Sequence, residues 1–340
     1  MLKIQTDHVS RLLSAATPAY ITRLGAAYRG DSLGLLPQLP DSSVNLVITS
    51  PPFALQREKE YGNHTQDDYV GWLEQFARLV RQKLRDDGSF VLDLGGAYKK
   101  GVPVRSLYNF RVLIRFCDEV GFHLAEDFYW HNSSKLPSPI EWVNKRKLRA
   151  KDSVNTVWWF SKTEHPKADV SKVLSEYSDR MRKLLQDPES FYTPKKRPSG
   201  HDIGKGFGKD NGGAIPSNLL QIPNTESNGT YLGACKALDI KQHPARFPLK
   251  LPEFFIRFLT DPGDLVLDIF AGSNTTGRAA ESEGRTWLAF EERMEYLAPS
   301  VFRFFSKDDA TEDMMSVHNR ISDGEMVELE KLADSRKLFR

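Results

Sequence analysis

The chain reads as an α/β protein: a mainly parallel sheet carrying helices, interrupted by one loop-rich insertion. Three observations predict this. Short aliphatic and β-branched runs alternate with segments whose apolar residues recur every three or four positions, the pattern of strand–helix units. Two of the runs, Val44 to Ile48 and Asp264 to Ile269, stop at clusters of proline or of small residues rather than at hairpin turns. Between about Glu164 and Gln242 periodicity fades, and Pro, Gly, Ser, Asn and Lys accumulate, as in KKRPSGHDIGKGFGKDNGG.

Taken in order, a helix is expected around Val9 to Ala16, and Ala26 to Asp31 looks like a short strand ending on Gly-Asp. Leu33, Leu35 and Leu36 suggest a helical turn before Pro37. Val44 to Ile48 follows the turn-forming Asp41-Ser42-Ser43 and reads as a buried parallel strand. Residues 54 to 66 are polar, contain Gly62-Asn63, and read as a mobile surface loop. Val70, Leu73, Phe76, Ala77, Val80 and Leu84 mark a helix face capped by Asp67 or Asp68 and stopped by Asp87-Gly88. Ser89 to Gly95 is then a strand. Phe110, Leu113, Ile114, Cys117 and Val120 mark a helix that Gly121 ends; Phe122 to Trp130 and Val154 to Phe160 are two more strands.

A helix over Val170 to Leu185 opens the insertion. For the insertion as a whole a disordered linker is the bland reading, but Leu219, Leu220, Ile222, Tyr231 and Leu232 demand burial. Order resumes with a helix at Leu251 to Leu259, a strand at Asp264 to Ile269, a helix from Thr275 and a strand at Thr286 to Phe290. The charged tail after about Ser306 reads as a solvated helix with no assigned function.

Composition narrows the class. With 340 residues, 40% hydrophobic and 27% charged, the chain can bury a large core. A net charge of +2 means that any nucleic-acid contact must come from local patches. Two cysteines, Cys117 and Cys235, suit a reducing compartment, and no stretch reaches membrane-spanning length. A cytoplasmic protein is expected.

The residues after the first aliphatic run, Ser50-Pro51-Pro52-Phe53, form a stiff arch. Each proline locks its φ and lacks an N–H, and each biases the residue before it towards extended backbone. The arch therefore leaves the sheet edge with free carbonyls, a hydroxyl on one side and a ring on the other. In open α/β sheets ligands bind at such carboxyl ends. The second run continues as Asp268-Ile269-Phe270-Ala271-Gly272-Ser273-Asn274-Thr275-Thr276-Gly277, a strand, a small-residue turn and a helix start. Such turns hold nucleotide-like cofactors against backbone N–H groups. A dinucleotide fingerprint is only half met, because Asn274 replaces its middle glycine. Glu291 ends the following strand, where an acid suits a ribose diol. Alone, this pair fits a nicotinamide site, a structural turn or an S-adenosylmethionine site.

Together, strand-Ser-Pro-Pro-Phe and D-x-F-x-G-S-x-T-T resemble the amino-methyltransferases of DNA. The order, arch before cofactor loop, looks like their permuted β group. KLPSPIEWVN, VNTVWWFSKTE, HPARFP and DLVLDIFAGSNTTG extend the likeness from about Tyr28 to Tyr296. The resemblance implies an S-adenosylmethionine-dependent, Rossmann-like mixed sheet with circularly permuted motifs and an inserted target recognition module. It divides the chain into 1–163 (catalytic, with the arch), 164–242 (recognition), 243–305 (catalytic, with the cofactor site) and 306–340 (accessory tail).

The implied reaction moves a methyl group from S-adenosylmethionine to an exocyclic amine of a flipped-out base in double-stranded DNA, leaving S-adenosylhomocysteine. By resemblance, Ser50, Pro51, Pro52 and Phe53 are catalytic. Asp31, Phe247, Pro248, Asp268, Phe270, Gly272, Ser273, Asn274, Thr275, Thr276 and Glu291 bind the cofactor. Ser-Pro-Pro accompanies cytosine N4 more often than adenine N6, which stays as the alternative. C5 methylation needs a cysteine after a proline; Cys117 follows Phe116 and Cys235 follows Ala234. No metal cluster is seen at ligand spacing. His243 reads as a core or capping histidine. Lys145, Arg146, Lys147, Arg149 and Lys151, with Lys195, Lys196 and Arg197, are the expected phosphate contacts. The family further suggests a restriction-modification setting, with a cognate endonuclease that is not a physical partner; monomer and homodimer stay open. A non-catalytic DNA-binding protein and a nicotinamide oxidoreductase are the competing classes.

Overall fold

Aliphatic runs that cannot reach water on either face must sit inside a sheet covered on both sides. The computed structural model, which describes residues 8–53, 68–187, 209–225 and 229–331, places them there. The strands are β1 (Tyr20–Ile21), β2 (Gly25–Arg29), β3 (Val44–Thr49), β4 (Leu84–Gly95), β5 (His123–His131), β6 (Val154–Ser161), β7 (Leu219–Gln221), β8 (Leu265–Asp268), β9 (Thr286–Glu291) and β10 (Val327–Glu328). Their order across the sheet is β10-β1-β2-β9-β8-β3-β4-β6-β5-β7. The centre is parallel: β2 with β9, β9 with β8, β8 with β3, and β3 with β4. β6 runs antiparallel to β4 and to β5, so the sheet is mixed.

This topology brings distant sequence together. β3 and β8 are direct neighbours, with Leu46 opposite Val266 and Val47 opposite Leu267. The arch after β3 and the turn after β8 therefore leave the same sheet edge side by side. The ends of β2, β4, β5 and β9 reach that edge too, as does the start of β6, where Asn155 pairs with Gly95.

The helices are α1 (Ser32–Leu35), α2 (Tyr69–Lys83), α3 (Tyr108–Arg115), α4 (Asp179–Gln186), α5 (Thr230–Ala237), α6 (Lys250–Leu259), α7 (Thr275–Ser282), α8 (Met294–Ser300) and α9 (Thr311–Ser322). On α2 the expected apolar face is buried, from Leu73 through Phe76 and Ala77 to Val80. Asp87-Gly88 does not stop it: α2 ends at Lys83, and Leu84 already begins β4, because its side chain is needed in the core. Asp68 precedes α2 but makes no side-chain cap bond, and Asp67 lies outside the described residues. Gly121, at φ 81°, ends the wider turn Phe116–Val120 that extends α3. Val9–Leu13 is a short 3-10 turn rather than an α-helix to Ala16. The expected surface loop at 54–66 falls outside the described residues.

Two compact units emerge, Ala168–Ser217 and the remainder. The smaller is narrower than the expected 164–242 insertion, since β7 pairs with β5 and α5 buries Tyr231, Ala234 and Cys235 in the larger unit. Within the smaller unit, Val170–Leu185 is not one helix: a 3-10 turn at Val170–Val173 precedes α4, which Ser178 caps. The tail is also not merely solvated. α9 buries Met314, Val317 and Ile321, and β10 pairs with β1. Among the described residues no helix is long and apolar enough to cross a membrane.

Candidate active site

The arch and the turn meet over a cleft of about 740 Å³. Ser50, Pro51, Pro52 and Phe53 line one side; Phe270, Gly272, Ser273 and Thr275 line another, with Asp31, Phe247 and Glu291. Phe53 lies over Gly95, where any added Cβ would collide with its ring. The glycine that ends β4 is thus what lets the arch close down. Phe270 packs on Trp72 and Phe76 of α2, at ring separations of 5.6 and 4.9 Å, giving the cleft an aromatic wall.

Beneath the arch lies an acid that no motif marks. Ser50 Oγ donates to Asp93 Oδ2 at 3.0 Å, and Asn155 Nδ2 donates to Oδ1 at 3.0 Å. Asp93 is buried, and loss of water pushes its carboxyl up to about 6 against the opposing pull of Asn155, Ser50 and Lys135. The available signal was a lone Asp inside the apolar strand SFVLDLG, the same arrangement as Asp268 in LVLD.

Asp268 itself does not reach the cleft wall. Its carboxylate is buried and held within the protein, accepting from Thr49 Oγ1 and Thr276 Oγ1 at 2.6 Å each and from Phe270 N at 3.1 Å. It ties the end of β3 to the turn after β8, and burial raises its pKa. Asn274 and Thr276 are likewise buried away from the lining. Asn274, at φ 53°, caps α7 through Gly277 N and donates to Tyr20 Oη at 2.9 Å. Pro248 is buried and, unlike Phe247, is absent from the cleft lining. So the expected cofactor set divides into residues that face the cleft and residues that shape the turn.

Glu291 faces the cleft and also braces it, accepting from Gly272 N at 2.8 Å and Arg293 N at 3.0 Å. Burial raises its pKa, and each oxygen keeps a lone pair for another donor. Asp31 caps α1 by accepting from Leu33 N at 3.0 Å, with its second oxygen unused there. Gly272 sits at φ 51°, and a Cβ there would meet His243 Nε2 at 3.0 Å. His243 therefore lines the cleft, held edge-on against Tyr296 at 4.5 Å. Nothing in the sequence pattern marks Arg303 either. It donates to Ser273 O at 2.5 Å and Ser273 Oγ at 2.9 Å, and stacks over Tyr231 of α5 at 4.8 Å, clamping the turn from outside.

Of the expected phosphate contacts, Lys145, Arg146, Lys147 and Arg149 are exposed. Glu141 pairs with Lys145 at 3.4 Å and Arg146 at 2.8 Å, and Arg149 donates to the Leu148 and Pro103 carbonyls. Lys151 Nζ is turned to the Ser133 and Lys135 carbonyls. Lys195, Lys196 and Arg197 lie outside the described residues.

This fold and cleft define a mixed-sheet α/β methyltransferase with its motif turns at the carboxyl ends of adjacent strands. A DNA methylase family model of the N6/N4 type matches residues 44–302, and the chain belongs to that family. It is 64% identical over 332 residues to the type II methyltransferase M.PvuII of Proteus hauseri, covering 97% of this chain and 99% of that one. It superposes on the solved PvuII DNA methyltransferase (cytosine-N4-specific) with TM-score 0.77 and 57% identity, covering 92% of this chain and 98% of that one. The type II methyltransferase M.ScaI of Streptomyces caespitosus is 26% identical over 84% of this chain and 83% of its own.

Proposed function

We propose that this chain is a site-specific DNA methyltransferase that methylates the exocyclic N4 of a flipped-out cytosine in duplex DNA, as the modification arm of a restriction-modification system. The observation that carries the chemistry is the chain Ser50–Asp93–Asn155 beneath a proline arch. Close similarity to a cytosine-N4-specific enzyme supports the choice of base.

The cleft fits S-adenosylmethionine. A volume of about 740 Å³ lies within the usual ligand range of roughly 300–1,000 Å³. Glu291 offers lone pairs to a ribose diol, Asp31 an oxygen to an adenine amine, and Gly272 a surface with no side chain. Phe247 and Phe270 supply apolar walls, and Ser273 and Thr275 border the methionyl end. When bound, the cofactor supplies an electrophilic methyl group on its sulfonium and leaves as S-adenosylhomocysteine.

The target amine is a weak nucleophile because its lone pair is conjugated with the ring. Ser50 Oγ, whose proton is committed to Asp93, and the Pro51 carbonyl accept the two amine hydrogens and draw the nitrogen towards sp³. This frees its lone pair by positioning and electrostatics, with no covalent enzyme intermediate. As the N–C bond forms, the amine proton passes to Ser50 Oγ while the serine proton moves to the Asp93 carboxylate. Phe53 stacks on the extruded base, and Pro52 keeps the arch rigid. Phosphate contacts fall to the 145–149 run and to Lys195, Lys196 and Arg197, and base reading to the insertion. The cytoplasm is the proposed location.

Mass analysis of nucleosides from DNA treated with the protein and S-adenosylmethionine is expected to show N4-methylcytosine; N6-methyladenine alone would assign the other base. Ser50→Ala is expected to lose turnover by about 100-fold or more while retaining cofactor affinity. Unchanged turnover in that variant would remove the arch from the chemistry.

A further inference from the structure

We propose that Leu136 is the wedge that enters the DNA base stack and fills the space left by the extruded base; this rests on the methyltransferase reading above. β5 delivers the chain to the sheet edge that carries Ser50 and Asp93, and residues 132–137 form a turn beyond it. That turn is tied down from within and from both flanks. Asn132 Oδ1 accepts from Ser134 N at 3.2 Å, Ser134 Oγ at 2.7 Å and Asn224 N at 3.1 Å. Asn132 N donates to Ser153 O at 2.9 Å, and Lys135 N to Asn132 O at 3.2 Å. Lys151 Nζ bridges the Ser133 and Lys135 carbonyls at 3.2 Å each.

On this braced turn two neighbouring side chains have different addresses. Lys135 is half-buried, lines the cleft, and its charge acts on Asp93. Leu136 keeps 80% of its surface exposed, the largest fraction among the exposed large hydrophobics of the described residues. Pro137 confines the backbone of Leu136 to extended conformations, so little freedom remains to be lost on insertion. Isolated exposed leucines are ordinary on protein surfaces. This one stands beside the cleft that must receive a base pulled from a duplex. Architectural proteins that kink DNA frequently unstack it with apolar side chains, leucine among them, inserted between base steps. The turn thus presents a cation to the cleft and, one residue on, an exposed aliphatic group outside its lining.

The test is single-turnover methylation by the full chain at saturating S-adenosylmethionine. Two duplexes carry the sequence that it modifies: one has the target paired normally, the other has it opposite an abasic site. Leu136→Ala is expected to lose about tenfold or more on the paired duplex, the equivalent of an unburied leucine side chain. It is expected to return to within about threefold of wild type on the abasic duplex, where little pairing must be broken. Leu136→Met is expected to keep most of the activity on both. Equal loss on the two duplexes, or none on the paired one, overturns the wedge. Wild-type protein inactive on both duplexes would remove the methyltransferase reading, and the wedge with it.

Discussion

Through Asp93, the Ser50–Asp93 pair makes stability and activity respond to pH in opposite ways. Burial raises the Asp93 carboxyl from 3.8 to about 6, so the folded chain holds a proton that the unfolded chain has released across that window. Rising pH through it therefore removes stability, and above it the buried charge is a standing cost. Activity runs the other way, because only the ionised carboxylate can take the serine proton. We expect kcat to fall about tenfold per pH unit below roughly 6, as for a single essential base. Asp93→Asn should flatten that limb and lower kcat by about 100-fold or more, yet leave Tm at pH 8 equal or higher. A pH–rate profile with a thermal melt of both proteins checks it; an unchanged acid limb in the variant would refute the assignment. That Ser50 to Phe53 form a stiff arch beside a cleft was legible in the sequence, because proline restricts backbone whatever surrounds it. Asp93 was not, since its role depends on β3 and β4 being adjacent, which no local pattern encodes.

At the scale of elements, strand runs and apolar helix faces were readable because burial imposes their period. β3, β8, β9, α2 and α6 appear where the residue pattern puts them. Boundaries failed where tertiary demand outweighed local signals, as when Leu84 left α2 for β4 despite the Asp-Gly further on. The tail failed for a related reason. Its charge count suggested solvent, but α9 needs only one stripe, and Met314, Val317 and Ile321 supply it at 6%, 2% and 0% exposure. Burying such side chains is worth about 1.5–3 kcal/mol each, so the three together approach the roughly 5–15 kcal/mol that holds a domain folded. A chain ending at Ser306 also strips β10 from β1. It should show a melting temperature lower by about 10 °C or more, or no cooperative melt. Calorimetry of the truncated protein decides the matter; an unchanged melt would return the tail to accessory status.

For the molecule as a whole, a net charge of +2 leaves no general attraction for a polyanion, so DNA affinity must be concentrated in few cations. The basic run at 145–151 supplies candidates, but its members are not equivalent. Lys145 and Arg146 share Glu141, Arg149 spends donors on carbonyls, and Lys151 braces the 132–137 turn. Lys147 is exposed, at φ 54°, and forms no ion pair among the described residues. A free ammonium that meets a phosphate releases about one counterion and lowers the slope of log K against log salt by about 0.9. Lys147→Gln should therefore weaken binding to specific and non-specific duplex alike and make that slope shallower by about 0.9. Arg146→Gln should change it by less, because that cation already interacts with a carboxylate. Titrations at several salt concentrations separate the two variants. Equal slopes for wild type and Lys147→Gln would place the DNA backbone elsewhere on the surface.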